Sequence, residues 1–287
     1  MNRWFALVHL ARPAHWSKAA FVLMPLPFGL ASGGVFDAPR FLLGLAGFSL
    51  AASAVYAFND IRDAEQDRRH PVKRHRPVAS GTVSPGVAAV WSLVLLGAGL
   101  GLAALSGSRV ALGVVATYVL LNLIYSFGAK HVPLIDVFLL SSGFVLRVLL
   151  GCALIDVKPS SWLLLCSSTL ALFMALTKRR SELRVVGPDH RPSLAGTTEA
   201  FLNQAIAISA GMTTVSYAMY SIEGGVLEPG REFPTVVFVT FGVLEYLRLS
   251  HLKPNADSPV TLLFGSPTLL LCGIGWLVAA AFSMGLI

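Results

Sequence analysis

The residues richest in chemistry fall in one short run, Asn59-Asp60-x-x-Asp63-x-x-x-Asp67. On a helix turning about 100° per residue, all four share about 100° of arc. Three carboxylates and an amide oxygen on one face repel unless a cation sits among them. Hard oxygen ligands with the rest of the shell open suit Mg2+ bridging to a diphosphate. Asn59, Asp60, Asp63 and Asp67 are therefore the expected metal ligands, and Asp60, Asp63 and Asp67 the expected catalytic set. Glu65 points away from that face.

A magnesium diphosphate also needs cations for the charge the metal leaves over. Arg62, Arg68, Lys73, Arg74 and Arg76 lie beside the acids. Lys73 and Arg76 are the expected phosphate contacts; Arg68 and Arg69 are assigned to topology. A second polar run, Lys178-Arg179-Arg180-Ser181-Glu182, also starts where an apolar stretch ends. Downstream of each run lies a matched block. His75-Arg76-Pro77 through Gly81-Thr82 agrees with His190-Arg191-Pro192 through Gly196-Thr197 at five of eight positions. We read this as an internal duplication, which in membrane proteins places the site between the repeats.

The elements that must hold these residues are apolar helices. The chain has 287 residues, 55% hydrophobic and 13% charged, with a mean hydropathy of +0.69. A soluble domain carries about 25% charged residues, so disorder, coiled coils and most soluble enzymes are excluded. Runs 41–58, 160–177 and 266–287 hold no charge, and about 18 such residues cross a bilayer. Nine spans are predicted, at 19–35, 41–58, 86–105, 109–126, 132–155, 160–177, 200–222, 234–250 and 265–287. The eighth is the weakest, with Glu245 and Arg248 near its end. The expected fold is an all-α polytopic membrane bundle of about nine transmembrane helices, one domain over 1–287.

Net charge is +7, from 22 Lys and Arg against 15 Asp and Glu. The bilayer and anionic lipid or substrate account for that excess, and no nucleic-acid partner is expected. With the N-terminus in the cytoplasm, seventeen of the 22 cations fall on that side, four on the other, and Arg147 within a span. The positive-inside rule then puts the N-terminus and both polar loops in the cytoplasm, in a cell (inner or plasma) membrane. Cys152, Cys166 and Cys272 lie in apolar spans without metal-ligand spacing and read as core residues. No cleaved signal peptide is expected.

Four further residues carry two readings each. Lys18, beside His15 and Trp16, suits either an interfacial anchor or an anion contact. Lys130, near Tyr125, either complements a helix C-terminus or, with Tyr125, touches substrate. Asp136 is placed to hold a cation or to pair with Lys130. Arg147, whose charge at mid-span costs about 2.5–3.5 kcal/mol, needs a partner on another helix or a water-filled cavity.

The acidic helix end, the nine spans and the duplicated polar loops resemble the UbiA superfamily of intramembrane prenyltransferases. That family prenylates aromatic acceptors such as 4-hydroxybenzoate through two acidic motifs holding Mg2+ on a prenyl diphosphate. Here the second motif departs: Lys178, Arg179, Arg180 and Glu182 stand where two aspartates are usual. Arg12-Pro-x-x-Trp16-x-Lys18, His70-Pro71-x-Lys73-Arg74-x-Arg76-Pro77, Tyr125-Ser-Phe-x-x-Lys130 and Lys178-Arg179-x-x-Glu182-Leu183 are similar to the branch that transfers phosphoribosyl from phosphoribosyl diphosphate to a decaprenyl-type polyprenyl phosphate. The resemblance implies Mg2+, that donor and that lipid acceptor. Substrate contacts are then expected at Lys18, Asn59, Lys73, Arg76, Tyr125, Lys130, Lys178, Arg179 and Glu182. Lys178 and Arg179 would match the extra 5-phosphate of the donor. Lys18, Tyr125 and Lys130, at cytoplasmic span ends, would receive the acceptor phosphate. Two other classes compete. An aromatic prenyltransferase would call for acids in the second loop, and an anion transporter would need no acidic face at the membrane surface.

Overall fold

Helix starts follow from local chemistry. Asp37, Ser84, Ser108, Thr198 and Ser266 each accept the backbone N–H three residues on, satisfying one of the free donors of a first turn. Proline in the first turn, where an N–H is not needed, supports three of these starts. The computed structural model describes residues 3–70, 72–186, 192–252, 262 and 265–287. Every regular element among them is helical: α1 (Arg3–Ala11), α2 (Ala20–Leu23), α3 (Leu26–Ala31), α4 (Ala38–Arg62), α5 (Ala64–Arg68), α6 (Pro85–Leu105), α7 (Arg109–Ser126), α8 (Ile135–Leu154), α9 (Ser161–Val186), α10 (Glu199–Glu223), α11 (Phe233–Leu252) and α12 (Pro267–Ser283).

Seven of these, α4 and α6 through α11, are long and apolar enough to cross a membrane. The chain is a multi-pass membrane protein. The expected count of nine is not met by single helices among the described residues. The first expected span, 19–35, is broken into a 3-10 turn (Pro13–Ala19), α2 and α3. Pro25 and Pro27 interrupt it, because neither can donate to the helix ladder. The ninth shortens to α12, 17 residues long. The weak eighth span does form, as α11. Arg248 there donates to both carboxylate oxygens of Glu245, at 2.6 and 2.7 Å, so the two charges cancel locally.

The chain forms two compact units. The first comprises Met1–Leu26, Val35–Gly128 and Leu146–Asp156; the second comprises Pro27–Gly34, Ala129–Val145 and Val157–Ile287. In the first, α4 and α6 meet backbone to backbone. A Cβ added to Gly47 would lie 2.8 Å from the Gly99 carbonyl oxygen, and one added to Gly99 would lie 2.7 Å from the Ala51 nitrogen. Small residues permit this approach, as is usual where lipid supplies no hydrophobic drive between helices. Arg40 pairs with both oxygens of Asp156 and reaches the Ala153 carbonyl at 3.1 Å. That anchors α4 at the end opposite the acids. In the second unit, Phe28, Leu227 and Ala280 form an apolar core against Tyr220 and Trp276.

Candidate active site

The acids sit where α4 ends. The expected single helix is interrupted: Asp63 caps α4 with φ −94° and ψ 0°, and α5 restarts at Ala64. Hydrogen bonds from Asp63 N to Asn59 O and from Asp67 N to Asp63 O keep the two pieces nearly continuous. Asp60 and Asp67 are 1% and 4% exposed. They converge on Arg76, whose Nη1 donates to Asp67 Oδ2 at 2.7 Å and lies 3.3 Å from Asp60 Oδ1. Arg12 donates to Asp60 as well. Arg12 holds a left-handed backbone, φ 50° and ψ 59°, which non-glycine residues adopt only when their surroundings enforce it. The ion pair to Asp60 is one such tether. Asn59 Oδ1 accepts from the Ser126 hydroxyl, which fixes the amide at the end of α7.

The donor set is all oxygen, the chemistry a hard divalent cation takes. Among the described residues no three His, Cys, Asp or Glu side chains form a metal-holding group, and the cation between Asp60 and Asp67 is the Arg76 guanidinium. Mg2+ commonly takes one or two protein carboxylates and fills its shell from substrate phosphates and water. Two buried carboxylates facing one cationic position fit an ion of that kind.

The remaining candidates of the first unit lie around this cluster. Lys18, in the 3-10 turn before α2, donates to the Tyr56 hydroxyl at 3.3 Å. Burial, then the charges of Arg147 and Arg12, pulls its ammonium down to about 8. Lys73 stands exposed in a 3-10 turn, Lys73–His75, shaped by His70, whose Nδ1 accepts from the Val72 and Lys73 amides at 3.2 Å. Tyr125 is half-buried near the end of α7. Arg68 donates to the Ala79 carbonyl at 3.2 Å, a structural role.

In the second unit, the end of α9 forms a network of its own. Arg179 is 2% exposed, its Nε 2.9 Å from Asp136 Oδ2 and its Nη1 2.5 Å from Glu182 Oε2. Ser193 donates to the same Asp136 oxygen at 2.9 Å. Asp136 thus pairs with the Arg179 guanidinium. Lys178, half-buried, lies 3.9 Å from Glu182 Oε1. Lys130 is half-buried in the 3-10 turn Ala129–His131.

The sequence profile of the UbiA prenyltransferase family matches residues 19–266. The chain belongs to this family. Decaprenyl-phosphate phosphoribosyltransferase of Corynebacterium glutamicum is 35% identical over 224 residues, 76% of this chain and 67% of that protein. The protein of the same name from Mycobacterium tuberculosis is 31% identical over 294 positions, covering 97% of this chain and 95% of its own. A UbiA homolog from Archaeoglobus fulgidus, solved with GPP and Mg2+, superposes with a TM-score of 0.72 over 98% of this chain and 99% of that one. At 18% identity that likeness shows a shared fold.

Within this UbiA-family chain, the duplicated blocks also turn alike. Gly81 and Gly196 take φ values of +77° and +74°, each shortly before the cap of the next long helix, Ser84 or Thr198. His190 and Arg191 of the second block lie outside the described residues. Two site features escaped sequence reasoning. Arg12 and Asp60 are 48 positions apart, a separation no helical period reports. Arg180, 1% exposed, bonds Asn203 at 3.0 Å, Ser250 at 2.7 Å and His251 at 2.6 Å. It ties α9 to α10 and α11. Its one sequence signal is its place in a basic run directly after an apolar span.

Proposed function

We propose that this UbiA-family transferase moves a 5-phosphoribosyl group from phosphoribosyl diphosphate to a polyprenyl phosphate of the decaprenyl type. The observation that carries the reading is the basic run Lys178-Arg179-Arg180 near the end of α9, where the first polar run, at the end of α4, is acidic. A prenyl diphosphate carries its charge at one end; phosphoribosyl diphosphate carries a second phosphate on the ribose. Near-full-length likeness to relatives named for that reaction supports the same reading.

The C1–oxygen bond to the diphosphate breaks, a bond from C1 to an acceptor phosphate oxygen forms, and diphosphate leaves. The acceptor phosphate is already ionised, so no protein base is required. Asn59, Asp60, Asp63 and Asp67 would be the residues to hold Mg2+, which would supply positive charge beside the leaving diphosphate. Arg76 and Lys73 bind the remaining oxygens of the diphosphate and hold it in line with C1. Lys178 contacts the 5-phosphate. Arg179, inside its carboxylate clamp, positions Glu182 and the end of α9. Tyr125 and Lys130 contact substrate at the headgroup level.

Membranes containing the protein, given labelled phosphoribosyl diphosphate and polyprenyl phosphate, should put the label into lipid, and a chelator should stop this. Prenylation of an aromatic acid from polyprenyl diphosphate, with no ribosyl transfer, would instead assign the aromatic-acceptor activity. Both loops are proposed to face the cytoplasm. Cysteines placed at positions 18 and 130 should then react with a membrane-impermeant thiol reagent from that side; reaction from the other side would reverse the topology.

A further inference from the structure

Arg147 is 5% exposed and lies well inside α8, a helix long and apolar enough to span a membrane. Its guanidinium stands 4.7 Å from the centre of the Phe48 ring and 5.3 Å from that of Tyr118. Aromatic faces stabilise a cation there. The same side chain lines a cleft in the first unit with His15, Trp16, Ser49 and Tyr56. The described lining of that cleft contains no carboxylate.

Lys18 meets the cleft through Tyr56, at 3.3 Å. Its lowered pKa comes first from burial, then from Arg147 and Arg12, so the cleft carries a positive field. An anion brought beside Lys18 would raise that pKa again. The rest of the lining is apolar, including Val22, Leu45 and Ala52. A hydrocarbon chain can lie along such a wall, while free phosphate would gain nothing from it. The 3-10 turn bearing Trp16 is fastened to α4 by a hydrogen bond from Trp16 Nε1 to Ser53 Oγ at 3.0 Å, which fixes one wall of the cleft. Tyr56 also lies one helical turn before Asp60, about 6 Å along α4.

We infer that Arg147, with Lys18 and Tyr56, forms the subsite for the phosphate head of an anionic lipid whose chain follows the apolar wall of this cleft. That this lipid is the acceptor rests on the function proposed above; the charge and amphipathic character of the ligand do not. Arg147 thereby receives a ligand-binding role, and Tyr56 marks the end of the subsite nearer the acids that face the donor.

The test is binding to the purified full-length protein in lipid nanodiscs, with no turnover needed. Polyprenyl phosphate, uncharged polyprenol and inorganic phosphate are the probes. Polyprenyl phosphate should bind far more tightly than either of the other two. Arg147→Gln should weaken its binding by about 10- to 100-fold, the worth of one charge-assisted hydrogen bond, and Arg147→Lys should restore most of it. Should Arg147→Gln fail to fold, Lys18→Gln and Tyr56→Phe provide the same comparison. In turnover, the acceptor KM should rise in these variants with the donor KM unchanged. Unaltered lipid binding in all of them would overturn the inference, as would inorganic phosphate binding as tightly with the same dependence on Arg147. Arg147-dependent lipid binding by a protein that transfers no ribosyl group would uphold the subsite and remove the proposed reaction.

Discussion

Asp60→Ala should cost the protein both its activity and part of its stability. The side chain is 1% exposed and neutralises Arg12 while sharing Arg76 with Asp67. Removing one partner of a buried ion pair costs about 3–5 kcal/mol. The lower end applies here, because the side chains of Arg12 and Arg76 retain 18% and 26% of their exposure and water screens what remains. Transfer should fall by about 100- to 1,000-fold, as when one charge-stabilising group is lost from a reacting centre. Asp63→Ala separates the two effects. Asp63 sits half-buried at the junction of α4 and α5, so its loss should abolish transfer while lowering the thermal midpoint less than Asp60→Ala does. Parallel measurement of turnover and thermal unfolding in detergent checks both variants. Full activity of Asp63→Ala in the presence of a chelator would sink the metal-binding role.

Arg179→Ala should be the most destabilising change in the second polar loop. Its partner Asp136 is as buried as itself, and they lie 2.9 Å apart, so the loss breaks a buried ion pair at a cost of about 3–5 kcal/mol. Lys178→Ala, with a side chain one-third exposed, should leave stability within about 0.5 kcal/mol and raise the donor KM. The double variant Arg179→Met with Asp136→Leu removes both charges together and should regain most of the lost stability without regaining donor affinity. An unchanged unfolding midpoint in Arg179→Ala would show that the buried pair contributes nothing net. An unchanged donor KM in Lys178→Ala would take the 5-phosphate away from this loop and favour the aromatic acceptor.

What the sequence made legible was whatever is local or periodic. The predicted spans 86–105 and 109–126 fall almost on α6 and α7, since Ser84 and Ser108 announce their starts and the apolar runs fill their lengths. The acid run was visible because its spacing is helical; the break at Asp63 was not, since it is a small change in backbone angle. The first span misled because hydropathy counts Pro25 and Pro27 as tolerable, while the backbone loses two donors within three residues. Asp136 was given Lys130 as one possible partner by nearness in sequence. Tertiary folding supplied Arg179, across 43 positions that no local pattern connects. Arg147 was recognised as costly from its depth alone, but its rings, Phe48 and Tyr118, come from two other helices.

The contact between Gly47 and Gly99 acts mechanically as a fulcrum. Asp60 lies thirteen residues further along α4, about 20 Å at 1.5 Å per residue. Swelling that contact by a single methyl group, enough to tilt the helix by about 5°, would swing the acids by nearly 2 Å by the same geometry. Displacements of about 1 Å at a reacting centre can cost about 100-fold in rate. A glycine facing another helix deep in the hydrocarbon is thus a lever on the chemistry at the surface.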